Sequence, residues 1–219
     1  LAQRGLSAHQ ALFDSSGFIE MVSDSAVRQI DTQRWYTHDI VYKFHASCYG
    51  TQAPITAAQS LAPAPLPEGP VRVWIEPQYL NVCNVSEPQS LNAARFSVCH
   101  MVAMALLGRD TVSEAGLRSS LTDRQVIALR QRIHVAGDEN LPRAASRVRF
   151  SNGDTCYAAL NKPEPDHSLQ LKRIQQKATR LLSAHFTAQQ QSFLFQHIED
   201  LDTKPSLNAL LTLLIPAKH

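Results

Sequence analysis

Residues 91–107 read LNAARFSVCHMVAMALL, and this run decides what kind of molecule the chain builds. Ser90 stands ready as an N-cap, Gly108 follows the last periodic residue, and apolar side chains cover nearly every face in between. The pattern predicts one helix over 91–107, apolar nearly all round and therefore buried. A buried helix needs layers around it, and the flanking sequence supplies them. On its N-terminal side, residues 71–76 (VRVWIE) alternate apolar and polar at period two, the pattern of a half-buried strand. On its C-terminal side, residues 112–132 give two short helices, the second capped by Thr122 or Asp123. Residues 133–135 and 145–150 then read as strands, and Ser151-Asn152-Gly153-Asp154 turns the chain into 155–160 as a β-hairpin.

Further out, the character changes. Apolar residues between 1 and 36 are spaced for short helices, interrupted by serine- and glycine-containing breaks. Residues 35–52 are rich in aromatic and polar groups without a period, and they feed a helix over 51–62 with a first-turn proline. PAPLPEGP at 63–70 cannot continue that helix and reads as a linker. A loop carrying Asn81, Cys83 and Asn84 follows the first strand. KPEPDH at 162–167 breaks the chain again, after which 169–184, 188–198 and 207–215 read as amphipathic helices. The order predicts an α+β fold: a small lid domain over 40–162, with helices on a mostly antiparallel sheet, flanked by helices at 1–39 and 163–219 that belong to an incomplete all-α domain. The opening LAQRGLSAHQ carries no Met and no targeting signature, and reads as a chain cut in mid-protein.

Composition narrows the function. With 219 residues and 44% hydrophobic side chains the chain can bury a core, and a net charge of +2 leaves no nucleic-acid footprint. The apolar runs fall short of the ~20 residues that cross a bilayer, so no membrane role is expected. Cysteines 48, 83, 99 and 156 lack C-x-x-C spacing and read as free thiols of a cytoplasmic protein.

No phosphate loop, nucleophile elbow or zinc-protease pair is present. The chemistry-bearing stretch is 43–52, KFHASCYGTQ, which places an amine, an imidazole, a thiol, a phenol and two hydroxyls ahead of a helix start. Orphan N–H groups at a helix N-terminus together with Lys43 favour a carboxylate. Read from the residues alone, an anion-facing loop and an ordinary capping loop are both open. Four other side chains invite an assignment. His100 on the buried helix reads as a hydrogen-bonded core group, Arg95 as a partner of a neighbouring acid, and Cys83 with Asn84 as part of a turn.

The run YKFHASCYGTQAPITAAQSL resembles the hallmark segment of the MmgE/PrpD family. Cys83-Asn84-Val85, Pro88, Ala94-Arg95-Phe96-Ser97 and MVAMALLGRDTV are similar to a second block, and the hairpin with the closing helix LDTKPSLNALLTLL to a third. This resemblance implies the C-terminal half of a cofactor-independent lyase without a metal, 2-methylcitrate dehydratase-like, acting on a small di- or tricarboxylate as a homodimer. It implies proton abstraction next to a carboxylate, with Lys43 as charge stabiliser or acid, His45 and Cys48 as further catalytic candidates, and Thr51 and Gln52 as substrate-binding residues. The family's decarboxylase branch has His where this chain has Cys48, and Thr-His where it has Thr51-Gln52, which points away from decarboxylation. An epimerase of a dicarboxylate such as iminodisuccinate is the alternative, and a non-catalytic lid or dimerisation fragment a second. The family's remaining acid–base residues belong to the N-terminal helical half that would precede Leu1, so the polypeptide alone is expected to be inactive, with apolar faces at Leu207, Leu210, Leu211 and Leu214 left uncovered.

Overall fold

The structure, a computed structural model, describes residues 33, 36–62, 65–203 and 206–214. The helices expected within 1–35 lie outside the described residues, as do the linker's residues 63–64 and the end of the last helix at 215. The chain divides into two units at residues 38 and 39. In the first, only Gln33 and the start of a 3-10 turn, Tyr36–Asp39, are described. The second unit holds the α+β fold.

Its sheet has four strands: β1 (Val71–Ile75), β2 (Ile133–Gly137), β3 (Ala145–Arg149) and β4 (Thr155–Ala159), in the order β2-β1-β3-β4. β1 runs parallel to β2 and antiparallel to β3, and β3 runs antiparallel to β4. Mixed pairing follows from connectivity: five helices separate β1 from β2 and allow the crossover a parallel pair needs, whereas β3 and β4 are joined by a tight turn. Gly153 takes the positive φ of that turn, +98°, as the Asn-Gly pair predicts. Alternation in β1 is realised in full. Val71, Val73 and Ile75 are completely buried, while Arg72 and Trp74 face outward.

Helix α1 (Tyr49–Leu61) packs on β3 and β4 and against α4 (Val98–Leu106), forming the core with α6 (Arg124–Arg130). It begins two residues before the predicted start, so Pro54 lies inside the helix rather than in its first turn. The loop expected after β1 contains a short helix, α2 (Leu80–Cys83). The α5 (Glu114–Ser120) and α6 pair falls where two short helices were expected, with Asp123 capping α6 through the N–H groups of Gln125 and Val126.

The predicted single helix over 91–107 is two helices. α3 (Leu91–Arg95) ends at Phe96, Ser97 takes an extended backbone (φ −117°, ψ 103°), and α4 starts afresh with the Ser97 hydroxyl accepting from the His100 N–H. A serine hydroxyl that satisfies an orphan amide offers the backbone an alternative to continuing the helix, and here it wins. At the break Arg95 and Phe96 line a cleft, while Phe96 also stays packed against the core.

After the hairpin come α7 (His167–Leu182), α8 (Ala188–Glu199) and α9 (Asn208–Leu214). Leu207, Leu211 and Leu214 are exposed, each by nearly half. Among the described residues no helix is long and apolar enough to cross a membrane.

Candidate functional site

The segment leading into α1 has no regular structure, yet it is held at almost every residue. Gln52, fully buried on α1, reaches back so that its Oε1 accepts from the N–H groups of Phe44 and His45 at 2.9 and 3.0 Å. Its Nε2 donates to the His45 carbonyl and the Ser47 hydroxyl, both at 3.1 Å. Thr51, equally buried, donates to Ser47 Oγ at 2.6 Å and the Cys48 carbonyl at 2.8 Å. The Ala46 N–H donates to Thr111 O and the Cys48 N–H to Arg95 O. A chain fixed in this way aims its side chains without help from a ligand.

Lys43, His45, Cys48, Arg95, Phe96 and Lys177 line a cleft of about 360 Å³. Of the five residues singled out by sequence, Lys43, His45 and Cys48 therefore share one concave surface. Thr51 and Gln52 lie directly behind it, with their polar atoms directed into the loop. Among the described residues Arg95 is not paired with an acid, contrary to expectation. No carboxylate lies within ion-pair distance of it among the described residues, and its Nε is buried without a hydrogen-bond partner there.

Lys177 and its neighbours were not anticipated. Arg173, Lys177 and Arg180 recur at i, i+4 and i+7 on α7, a spacing legible within the stretch read only as an amphipathic helix. Arg173 and Lys177 are half-buried, and the Lys177 ammonium donates to the Lys43 carbonyl at 2.6 Å. Burial, then the charge of Lys43, lowers the pKa of Lys177 below the usual lysine value.

His45 responds to the same field. Its Nδ1 lies 2.8 Å from Thr111 Oγ1, and burial, reinforced by Arg173, Lys177 and Arg180, lowers its pKa to about 4. At neutral pH it is an uncharged imidazole, so it does not enter the cleft as a cationic proton donor. Cys48 precedes α1 with no side-chain capping bond. Beneath it Cys83 is fully buried and donates to the Tyr79 carbonyl, its thiol pushed up to about 12 by burial and then by Cys48. Cys83 is thus a packing residue rather than a nucleophile. His100 is a core group as expected: fully buried, outside both cavities beside this loop, with Nε2 2.8 Å from Ser120 Oγ.

The result is an α+β domain with a cleft that converges three cations, a thiol and a neutral imidazole, and no carboxylate in its lining. Such a surface is electrostatically complementary to an anion. The profile of the MmgE/PrpD C-terminal domain matches residues 45–201, well over half of the sequence, and the chain belongs to the MmgE/PrpD family. The match takes in every residue of the cleft except Lys43, two positions before its start. No curated protein matches the chain.

Proposed function

We propose that this chain forms the cation-bearing wall of the active site of an MmgE/PrpD-type lyase that abstracts a proton next to a carboxylate of a small di- or tricarboxylate. The observation that supports this reading is the convergence of Lys43, Arg95 and Lys177 on one cleft without an acidic residue in its lining. Removing a proton beside a carboxylate builds negative charge on a group already anionic. Cations held in place before the reaction lower that barrier without reorganising. Lys43, the most exposed of the three, serves as charge stabiliser or as the acid that assists the leaving hydroxyl.

In this reading Gln52 and Thr51 are positioning residues that hold the loop. Cys48 shapes the cleft wall, and the base comes from the family's N-terminal helical part. Dehydration is proposed over epimerisation, with 2-methylcitrate as the reference substrate and a homodimer as the assembly. The test joins the chain to an N-terminal helical region of the family and follows citrate-like acids by NMR in deuterated water, where exchange, dehydration, epimerisation and loss of carbon dioxide give separate signals. Lys43→Ala should lower turnover by about 10²–10³-fold. Turnover retained in that variant would remove Lys43 from the mechanism.

A further inference from the structure

A second cavity, of about 180 Å³, adjoins the Lys43 cleft, and both are lined by His45 and Lys177. Its wall is built by Phe44, His45, Gln59, Arg173, Lys177 and Arg180, and Lys43 is not part of it. The size is informative: sites for drug-sized ligands run to roughly 300–1,000 Å³, so this one suits a single small group with its waters.

Its charge is only partly balanced among the described residues. Arg173 faces Glu164 at 4.0 Å and Arg180 faces Asp110 at 3.9 Å, both at the outer limit of an ion pair. Asp110 is in addition directed elsewhere, because its carboxylate accepts from the Val112 and Ser113 N–H groups and from the Ser113 hydroxyl at 2.6 to 3.2 Å. Lys177 has no carboxylate within ion-pair distance among the described residues, and it donates only to the Lys43 backbone there. Arg173 stacks its guanidinium on the Phe44 ring at 3.8 Å, which fixes the plane of the group and leaves its edge to donate. Three cations on one helix stripe repel one another, and an anion among them would offset what the two distant carboxylates leave uncompensated. The cavity, the rigid guanidinium and the amide of Gln59 supply the geometry for one.

We propose that this cavity is a second oxyanion site, for one phosphate-like or carboxylate group, distinct from the Lys43 cleft and sharing His45 and Lys177 with it. The group comes either as a free anion or as the remote arm of a ligand seated on Lys43. The site does not rest on the lyase reading.

The test titrates the chain with inorganic phosphate and, separately, with citrate, following the His45 imidazole by NMR. Phosphate should shift the His45 signals saturably and raise the pH at which they titrate from about 4 toward the ordinary 6.5. Arg173→Gln with Arg180→Gln should weaken phosphate binding at least ~10-fold, and Arg180→Gln alone, at an exposed position where folding is not at risk, about 3-fold. Lys43→Ala should change phosphate binding by less than about twofold. A remote-arm ligand makes citrate sensitive to both Lys43→Ala and the arginine pair, whereas two independent sites make it sensitive to Lys43→Ala alone. Absence of a saturable His45 shift with phosphate, or equal phosphate binding by the Arg180→Gln and parent chains, would overturn the proposal. Citrate binding untouched by Lys43→Ala, with phosphate binding intact, would instead count only against the Lys43 cleft.

Discussion

Gln52 shows how one side chain fixes a functional loop. Its amide serves two backbone donors and two acceptors of 44–47 from a fully buried position, so removing it orphans the buried His45 N–H and the partly buried Phe44 N–H. Gln52→Leu should cost about 2–4 kcal/mol, read as a lower urea midpoint, and should loosen Lys43 and Cys48 together. A change within 0.5 kcal/mol, about the size of a neutral surface substitution, would show that the loop holds itself. The two buried histidines predict a pH dependence. His45 and His100 each titrate at about 4 in the fold, chiefly because burial disfavours the imidazolium, whereas in the unfolded chain they return to about 6.5. The unfolded state therefore binds more protons between these values. Their stabilisation is complete above pH 6.5 and is lost as pH falls toward 4, on the order of 2–3 kcal/mol for each. Urea midpoints measured across that window should fall, and His100→Gln should flatten the curve. A midpoint that does not change between pH 6.5 and 4 would mean that neither imidazole is shielded as described.

At the scale of elements, the strands were the most legible part. Period-two alternation in 71–75 and the Asn-Gly turn at 152–153 act locally, and neither competes with another signal. The 91–107 run failed as a single helix because its apolar residues satisfy the helical pattern on both sides of the break. The information lay in Ser97, a capping residue inside the pattern that was passed over. Ser97→Ala should cost about 1–2 kcal/mol by removing the cap of α4, measured by thermal unfolding. Gly50 is a second element-level constraint, since a Cβ there would lie 2.5 Å from Tyr79 Cδ1 and 2.9 Å from Cys83 Sγ. Gly50→Ala should destabilise by about 1–3 kcal/mol, because α1 must withdraw from α2 or the tyrosine must turn. A neutral or stabilising Gly50→Ala would show that the ring yields freely. The site was half legible for a related reason. Lys43, His45 and Cys48 are sequence neighbours, but Arg173 and Lys177 reach them only because α7 folds back onto the loop, and cations on a helix read by default as a solvated stripe.

Across the whole molecule, a net charge of only +2 hides a local excess of cations around the His45 loop. The charge is distributed rather than large, which is why composition gave no sign of it. Focused fields of this kind draw small anions and weaken with ionic strength. Citrate binding should therefore fall several-fold between low and physiological salt, as read by calorimetry, while the binding of an uncharged ester analogue should stay flat. Equal salt dependence of the two would argue for a merely apolar cleft. The central claim is that the Lys43–Arg95–Lys177 cleft receives a small polycarboxylate. Its most direct measurement is an NMR titration of the chain with 2-methylcitrate, using side-chain labels on lysine and arginine. Saturable shifts at Lys43, Arg95 and Lys177, with Arg72 and Arg149 on the outer face of the sheet unmoved, are the predicted result. Shifts spread over all arginines and lysines alike, or none at these three, would contradict it.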